Sequence, residues 1–129
     1  MEELDSPDEY YIDRDSKKIY VYKGDNDITI TEYSKPLLKI EGVSDITFKN
    51  VNFYGTRSGA IDINNSHNID FDGCEISCIG KYGIDMKDVT DCDFINGEIS
   101  YCGTSGIKIE SGDKATMKSC GNKIINNKI

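Results

Sequence analysis

The chain of 129 residues has two prolines, one histidine and no apolar run of 18 residues, and each shortage removes a class of protein. Without such a run there is no candidate membrane-spanning helix, and no membrane partner is expected. The first residues, MEELDSPDE, are acidic and polar, whereas an export signal needs a basic start followed by an apolar stretch. Basic residues are also in the minority, 15 Lys plus Arg against 23 Asp plus Glu, for a formal charge of −8. That balance works against the phosphate attraction on which nonspecific nucleic-acid binding depends, so no nucleic-acid partner is expected. His67, the only histidine, falls in a turn between Ser66 and Asn68, which leaves no histidine-dependent catalytic triad to build. The five cysteines are odd in number and lack C-x-x-C spacing, so neither a disulfide framework nor a zinc site is expected. Cys74, Cys92 and Cys78 read instead as reduced thiols in inward positions, acting as small hydrophobes. No segment keeps an apolar face at helical spacing for three turns, which makes helix the minority state.

What the chain has is a repeat. Leu38, Ile61, Ile84 and Ile107 stand 23 residues apart, and Ile40, Ile63, Met86 and Ile109 follow the same step two positions on. A second series, Ile46-Thr-Phe48, Ile69-Asp-Phe71 and Cys92-Asp-Phe94, and a third, Val51-Asn-Phe53, Cys74-Glu-Ile76 and Gly97-Glu-Ile99, keep the same spacing of 23. Each series alternates inward and outward with the period of two that a strand requires. A fixed period of this length means stacked, self-similar units, here coils of three short strands. Between the second and third strands recur Asn50, Gly73 and Asn96, residue types that accept a left-handed backbone at low cost, and this marks the sharp bend. Gly59, Gly83 and Gly106 are expected to serve the wider turn before the first strand. In the last coil Ile124-Ile-Asn126 repeats Phe94-Ile-Asn96 at an offset of 30 rather than 23, so an enlarged loop lies within residues 111–121.

The expected organisation is an acidic tail at 1–9, a hairpin or cap at 10–35, and a parallel β-helix of about four coils at 36–129. The hairpin is read from the strand, polar turn, strand pattern of YYIDRDSKKIYVY. Because the sequence stops in mid-coil without a polar cap, the expectation is of a truncated solenoid, with further coils or another chain covering the C-terminal end.

The three-strand coil, the Asn/Gly bend and the phrases ITFKNVNF, KYGIDM and GNKIINNKI resemble the pectin-lyase-like superfamily of β-helix proteins. The resemblance runs from about residue 36 to the end, and implies an all-β, right-handed, single-stranded parallel β-helix preceded by a β-hairpin. EYYIDRDSKKIYVY at 9–22 and SGDKATMKSCGN at 111–122 are similar to the hairpin and long loop of large bacterial β-helix proteins related to β-xylosidases. That likeness implies a polysaccharide or oligosaccharide partner and a secreted or cell-surface setting. It names no single activity, since the superfamily holds lyases, hydrolases, epimerases, adhesins and inert scaffolds.

In the enzymes this chain resembles, the sugar lies along the outer face of the first strand column. Here that face reads Lys39, Asp62, Asp85, Lys108 and, two positions on, Glu41, Asn64, Lys87, Glu110. Much of it reads as a ladder of opposite charges, Lys39 with Asp62, Asp85 with Lys108 and Lys87 with Glu110, each pair contributing about 0.2–1 kcal/mol. Asp62 beside Asp85 breaks the ladder. Two carboxylates one strand apart repel, so one pKa rises or a cation is shared, and such a pair suits glycosidic hydrolysis. Asp62 and Asp85 are therefore the candidate catalytic residues, and Lys108, Tyr82, Lys114 and Arg57 the candidate substrate contacts, with Tyr82 able to stack on a sugar ring. Asp70 with Asp93 and Glu75 with Glu98 are also like-charged neighbours in this register, which keeps a scaffold or adhesion module as the alternative. A third reading is a calcium-dependent lyase; no other cofactor and no dedicated metal site is expected.

Overall fold

The computed structural model describes residues 4–25, 27–113 and 115–129. The described residues form thirteen strands and no helix, in two compact units that divide between Ile30 and Thr31.

The first unit is built on an antiparallel hairpin of β1 (Tyr10–Asp13) and β2 (Lys18–Val21), with Tyr10 opposite Val21 and Ile12 opposite Ile19. Its turn is closed by Asp13, whose carboxylate accepts the N–H groups of Asp15 at 3.0 Å and Ser16 at 3.2 Å. The Ser16 hydroxyl and backbone together hold the Asp13 pKa below the usual carboxylate value. Tyr11 and Tyr20 stack across the pair with ring centroids 6.4 Å apart.

The second unit is the solenoid. Its first sheet is β3 (Leu38–Glu41), β6 (Ile61–Asn64), β9 (Tyr82–Lys87) and β12 (Ser105–Glu110). The second is β4 (Ser44–Lys49), β7 (His67–Asp72), β10 (Asp93–Ile95) and β13 (Lys123–Ile125), and the third is β5 (Asn52–Thr56), β8 (Glu75–Ile79) and β11 (Glu98–Cys102). All neighbours are parallel, and the register is that of the repeat: Leu38, Ile61, Ile84 and Ile107 pair in line, as do Phe48, Phe71, Phe94 and Ile124. There are three complete coils; the fourth contributes a strand to the first two sheets and a single bridge, Lys128 to Glu98, to the third.

Alternation sends one side of every strand into the tube. Ile61, Ile63, Ile69, Phe71, Cys74, Ile76, Ile84, Met86, Cys92 and Phe94 are fully buried, and Phe71 stacks on Phe48 at 4.9 Å with its ring within 9° of parallel. All five cysteines are free thiols, and Cys74 and Cys92 are core residues. Cys78 departs from expectation: it is exposed, in a left-handed bend at φ 58°, where its side chain cannot enter the core.

The bends are more numerous than the sequence suggested. Asn50, Gly73 and Asn96 are left-handed as expected, joined by Asn126. Three further columns share that conformation: Gly42, Asn65 and Asp88; Asp45, Asn68, Asp91 and Gly121; Gly55, Cys78 and Tyr101. In two of the columns side-chain amides tie coils together, Asn68 donating to Asp45 at 2.6 Å and Asn126 to Asn96 at 2.7 Å. Gly59 lies in the turn before β6 as expected, whereas Gly83 and Gly106 are already the second residues of β9 and β12. Gly83 and Gly106 line up with the buried Ala60, and a Cβ on Gly83 would lie 2.6 Å from the Gly106 carbonyl oxygen and 2.8 Å from the Ile99 side chain. They are small because the interior narrows there.

Candidate functional site

Asp62 and Asp85 are registered neighbours on β6 and β9, with Lys39 above on β3 and Lys108 below on β12. Their side chains point out because Ile61, Ile63, Ile84 and Met86, on either side of them, fill the tube. Of the expected ladder, the Asp85–Lys108 rung forms and the Lys39–Asp62 rung does not. Lys39 turns along its own strand to Glu41 at 2.7 Å, and Lys108 meets both Asp85 at 3.6 Å and Glu110 at 3.0 Å. The Lys39–Glu41 pair is largely solvated and adds little stability, whereas Lys108 and Asp85 are each about a third exposed.

Asp62 is left over. Among the described residues no ion pair or hydrogen bond reaches its carboxylate; a Cβ on the buried Gly59 would lie 3.2 Å from its Oδ1. Partial burial first, and then the charge of Asp85, push its pKa above the usual carboxylate value, against the weaker pull of Lys39 and Lys81. A carboxyl that binds its proton more tightly folded than unfolded weakens the fold once ionised. Asp62→Asn should therefore melt higher than the parent at pH 7, with the gap closing as pH falls through the raised folded pKa and gone below the unfolded carboxylate value. Paired thermal melts at pH 7 and pH 3 measure this, and a lower melting temperature at pH 7 would contradict it.

Tyr82 opens β9 and is half-buried, with the Lys108 ammonium 5.4 Å from its ring centroid. Lys108 thus joins Tyr82, Asp85 and Glu110 into one cluster beside Asp62. Arg57 is exposed in the turn before β6, its backbone N–H donated to the Tyr33 carbonyl at 2.8 Å, and the cations acting on Asp62 are Lys39 and Lys81 instead. Lys114 lies outside the described residues. Tyr54 and Tyr101 sit on β5 and β11 of the third sheet, away from this column. His67 is the exposed first residue of β7 rather than a turn residue.

The enlarged loop leaves β12 and folds on itself: Asp113 and Lys118 exchange backbone hydrogen bonds at 3.3 and 3.2 Å, and the Asp113 carboxylate accepts the Thr116 hydroxyl at 2.6 Å. Ser119 Oγ accepts the Gly121 N–H within the same loop. Where the loop departs, Ile109, Glu110, Ser111, Gly112, Asp113 and Ala115 line a concavity of about 740 Å³. Among the described residues no group of three or more His, Cys, Asp or Glu is arranged to hold a metal ion, and no helix is long and apolar enough to cross a membrane.

Three parallel sheets stacked at a 23-residue step define a β-solenoid module. The family model for a right handed beta helix region matches residues 36–129, and the chain belongs to that family. No curated protein and no solved structure matches it.

Proposed function

We propose that this chain is a carbohydrate-associated segment of a larger polysaccharide-acting protein of glycoside-hydrolase type, and that a sugar chain lies along the outward face of β6, β9 and β12. The observation that carries this reading is Asp62, a partly buried carboxylate without an ion pair, set beside a second carboxylate that has one. Such a placement weakens the fold, and groups of this kind concentrate where chemistry is done. Glycosidic hydrolysis uses two carboxyls in unequal surroundings: one delivers a proton to the leaving oxygen, and the other attacks the sugar or activates water. Asp62, held toward its protonated form, suits the first role, and Asp85 the second. Strands roughly 4.8 Å apart bring carboxyls near the separation of about 5–5.5 Å that a retaining mechanism uses. Tyr82 offers a ring face to the sugar, steadied by Lys108.

A scaffold or adhesion module is the second reading, favoured by Lys108, which already neutralises Asp85 within the chain. A calcium-dependent lyase would rest on the two carboxylates alone.

Titration calorimetry with plant and microbial oligosaccharides, with and without calcium, separates these readings. Binding to the parent chain that falls at least tenfold in Asp62→Asn and in Tyr82→Ala is the expected result. Absence of binding by a folded parent, with both variants equally folded, would leave the scaffold reading in its place.

A further inference from the structure

The last coil is attached differently from the others. The segment after the enlarged loop, residues 122–129, is seated on β10 and β11 by a dense set of polar contacts. Asn122 Oδ1 accepts the Cys92 N–H at 3.0 Å, and Asn127 accepts the Gly97 N–H at 2.7 Å while donating to the Phe94 carbonyl at 2.6 Å. Backbone bonds run from Asn96 N–H to the Ile125 carbonyl at 3.1 Å and from Ile99 N–H to the Lys128 carbonyl at 2.8 Å. The segment's isoleucines are only partly covered, with Ile124, Ile125 and Ile129 remaining 38%, 53% and 63% exposed, Ile124 in register on Phe94 and Ile129 beside Gly106.

Two ion pairs set its register. On the second sheet Asp70 and Asp93 stack as like charges, and Lys123 closes the stack 3.0 Å from Asp93. On the third sheet Glu75 and Glu98 do the same, and Lys128 closes that stack 2.8 Å from Glu98. The seat is therefore selective: an extended segment with lysines five residues apart, and asparagines to meet the free N–H groups between them. The loop that leads to it carries its own hydrogen bonds, from Asp113 to Lys118 and Thr116, so it does not depend on the segment remaining in place.

We infer that residues 122–129 form an exchangeable strand, and that the β10–β11 seat also accepts the same segment from a second copy of this chain. Each contact of the closed form is remade in the exchanged pair, which is why such an exchange costs little beyond joining two molecules. The tethered segment is favoured at low protein concentration because its effective concentration is high. Exchange appears when protein concentration rises or the cis pairing is weakened.

Charge reversal tests this. One variant, Lys123→Glu with Lys128→Glu, carries an acidic segment above an acidic seat. A second, Asp93→Lys with Glu98→Lys, carries a basic segment above a basic seat. Alone, each is expected to be monomeric by light scattering and the first to melt below the parent, while in the second the lysines introduced at 93 and 98 also face Asp70 and Glu75, which offsets part of the loss. Mixed, they are expected to form a one-to-one dimer of twice the mass, seen by native mass spectrometry, because each segment finds its complement only on the other chain. The variant with all four changes restores the pairing in cis, and is expected to be monomeric with a recovered melting temperature. A mixture that stays monomeric would overturn exchange, and a fourfold variant that fails to recover would overturn the ion-pair seat itself. As a readout that needs no substitution, a fluorescein-labelled peptide of residues 121–129 should bind the parent chain and increase hydrogen exchange in its own 122–129 segment. No binding at millimolar peptide would also overturn the inference.

Discussion

Phe71→Ala should cost about 3–5 kcal/mol, the range for removing a large buried side chain that its surroundings cannot collapse to replace. All four phenylalanines of the chain, Phe48, Phe53, Phe71 and Phe94, belong to one interior. Phe71 lies between coils, fully buried, with Phe48 stacked on it at 4.9 Å, Phe53 edge-on at 6.4 Å and Phe94 paired in register on the next strand. A coil of a solenoid touches only the coils next to it, so stability is close to a sum of neighbour terms. Removing a middle side chain weakens two of those terms at once. Against a typical total of about 5–15 kcal/mol for a domain, a loss of this size brings the chain close to unfolding. Phe48→Ala, at a position only partly buried, should cost distinctly less. Urea midpoints for the two variants decide the point: equal, mild shifts would mean that the aromatic column is not what joins the coils.

The column itself was legible in the sequence because the interior repeats without interruption. Ile, Phe, Met and Cys recur at 23-residue steps, and alternation with polar residues fixes which side faces in. The long loop was legible for the same reason, as a break from 23 to 30 between Phe94 and Ile124. Two of the other columns of left-handed bends, Gly42, Asn65 and Asp88 and then Asp45, Asn68, Asp91 and Gly121, carry the same Asn, Asp and Gly types as the bend read from the sequence. Gly55, Cys78 and Tyr101 form the column that was not legible, since residues so unlike one another carry no shared chemical signal. What they share is a backbone angle imposed by neighbouring coils. A cysteine or tyrosine is held there by the hydrogen bonds of the strands on either side, at a local cost that the stack offsets. That also explains Cys78, whose residue type suggested the core and whose backbone excludes it.

At the candidate site the sequence supplied the register, and hence that Asp62 would neighbour Asp85, with Lys39 and Lys108 on the flanking strands. It could not supply where the long side chains turn. A lysine reaches both along its own strand and across to the next, and the choice between Glu41 and Asp62 for Lys39 depends on geometry that no spacing encodes. The consequence is functional: because Lys39 goes to Glu41, Asp62 is the carboxylate left without an ion pair. Tyr82, expected as a ring on which a sugar could stack, opens β9 and carries the Lys108 ammonium over its ring, a contact that spacing does not encode.

Gly80→Ala should cost about 3 kcal/mol, the upper part of the range for overpacking, although Gly80 is exposed and would ordinarily count as a tolerant surface position. A Cβ there would lie 2.4 Å from the Arg57 carbonyl oxygen and 2.8 Å from the Arg57 Cα, both backbone atoms of the preceding coil. Gly103 repeats the arrangement one coil on, with its Cβ position 2.4 Å from the Gly80 carbonyl oxygen. The stack at this corner is thus backbone on backbone, and no rotamer change can relieve the contact; coil must separate from coil. Gly55→Ala makes the informative comparison. Its left-handed φ of 75° penalises a side chain, but nothing lies within 4 Å of the new Cβ, and Cys78 and Tyr101 already hold side chains in the same column. A cost of about 1 kcal/mol is expected there. Thermal melts of the two variants therefore weigh inter-coil contact against local backbone strain. The larger loss at Gly80 would show that close approach of the coils governs which glycines this solenoid requires, and the reverse order would assign that control to the bends.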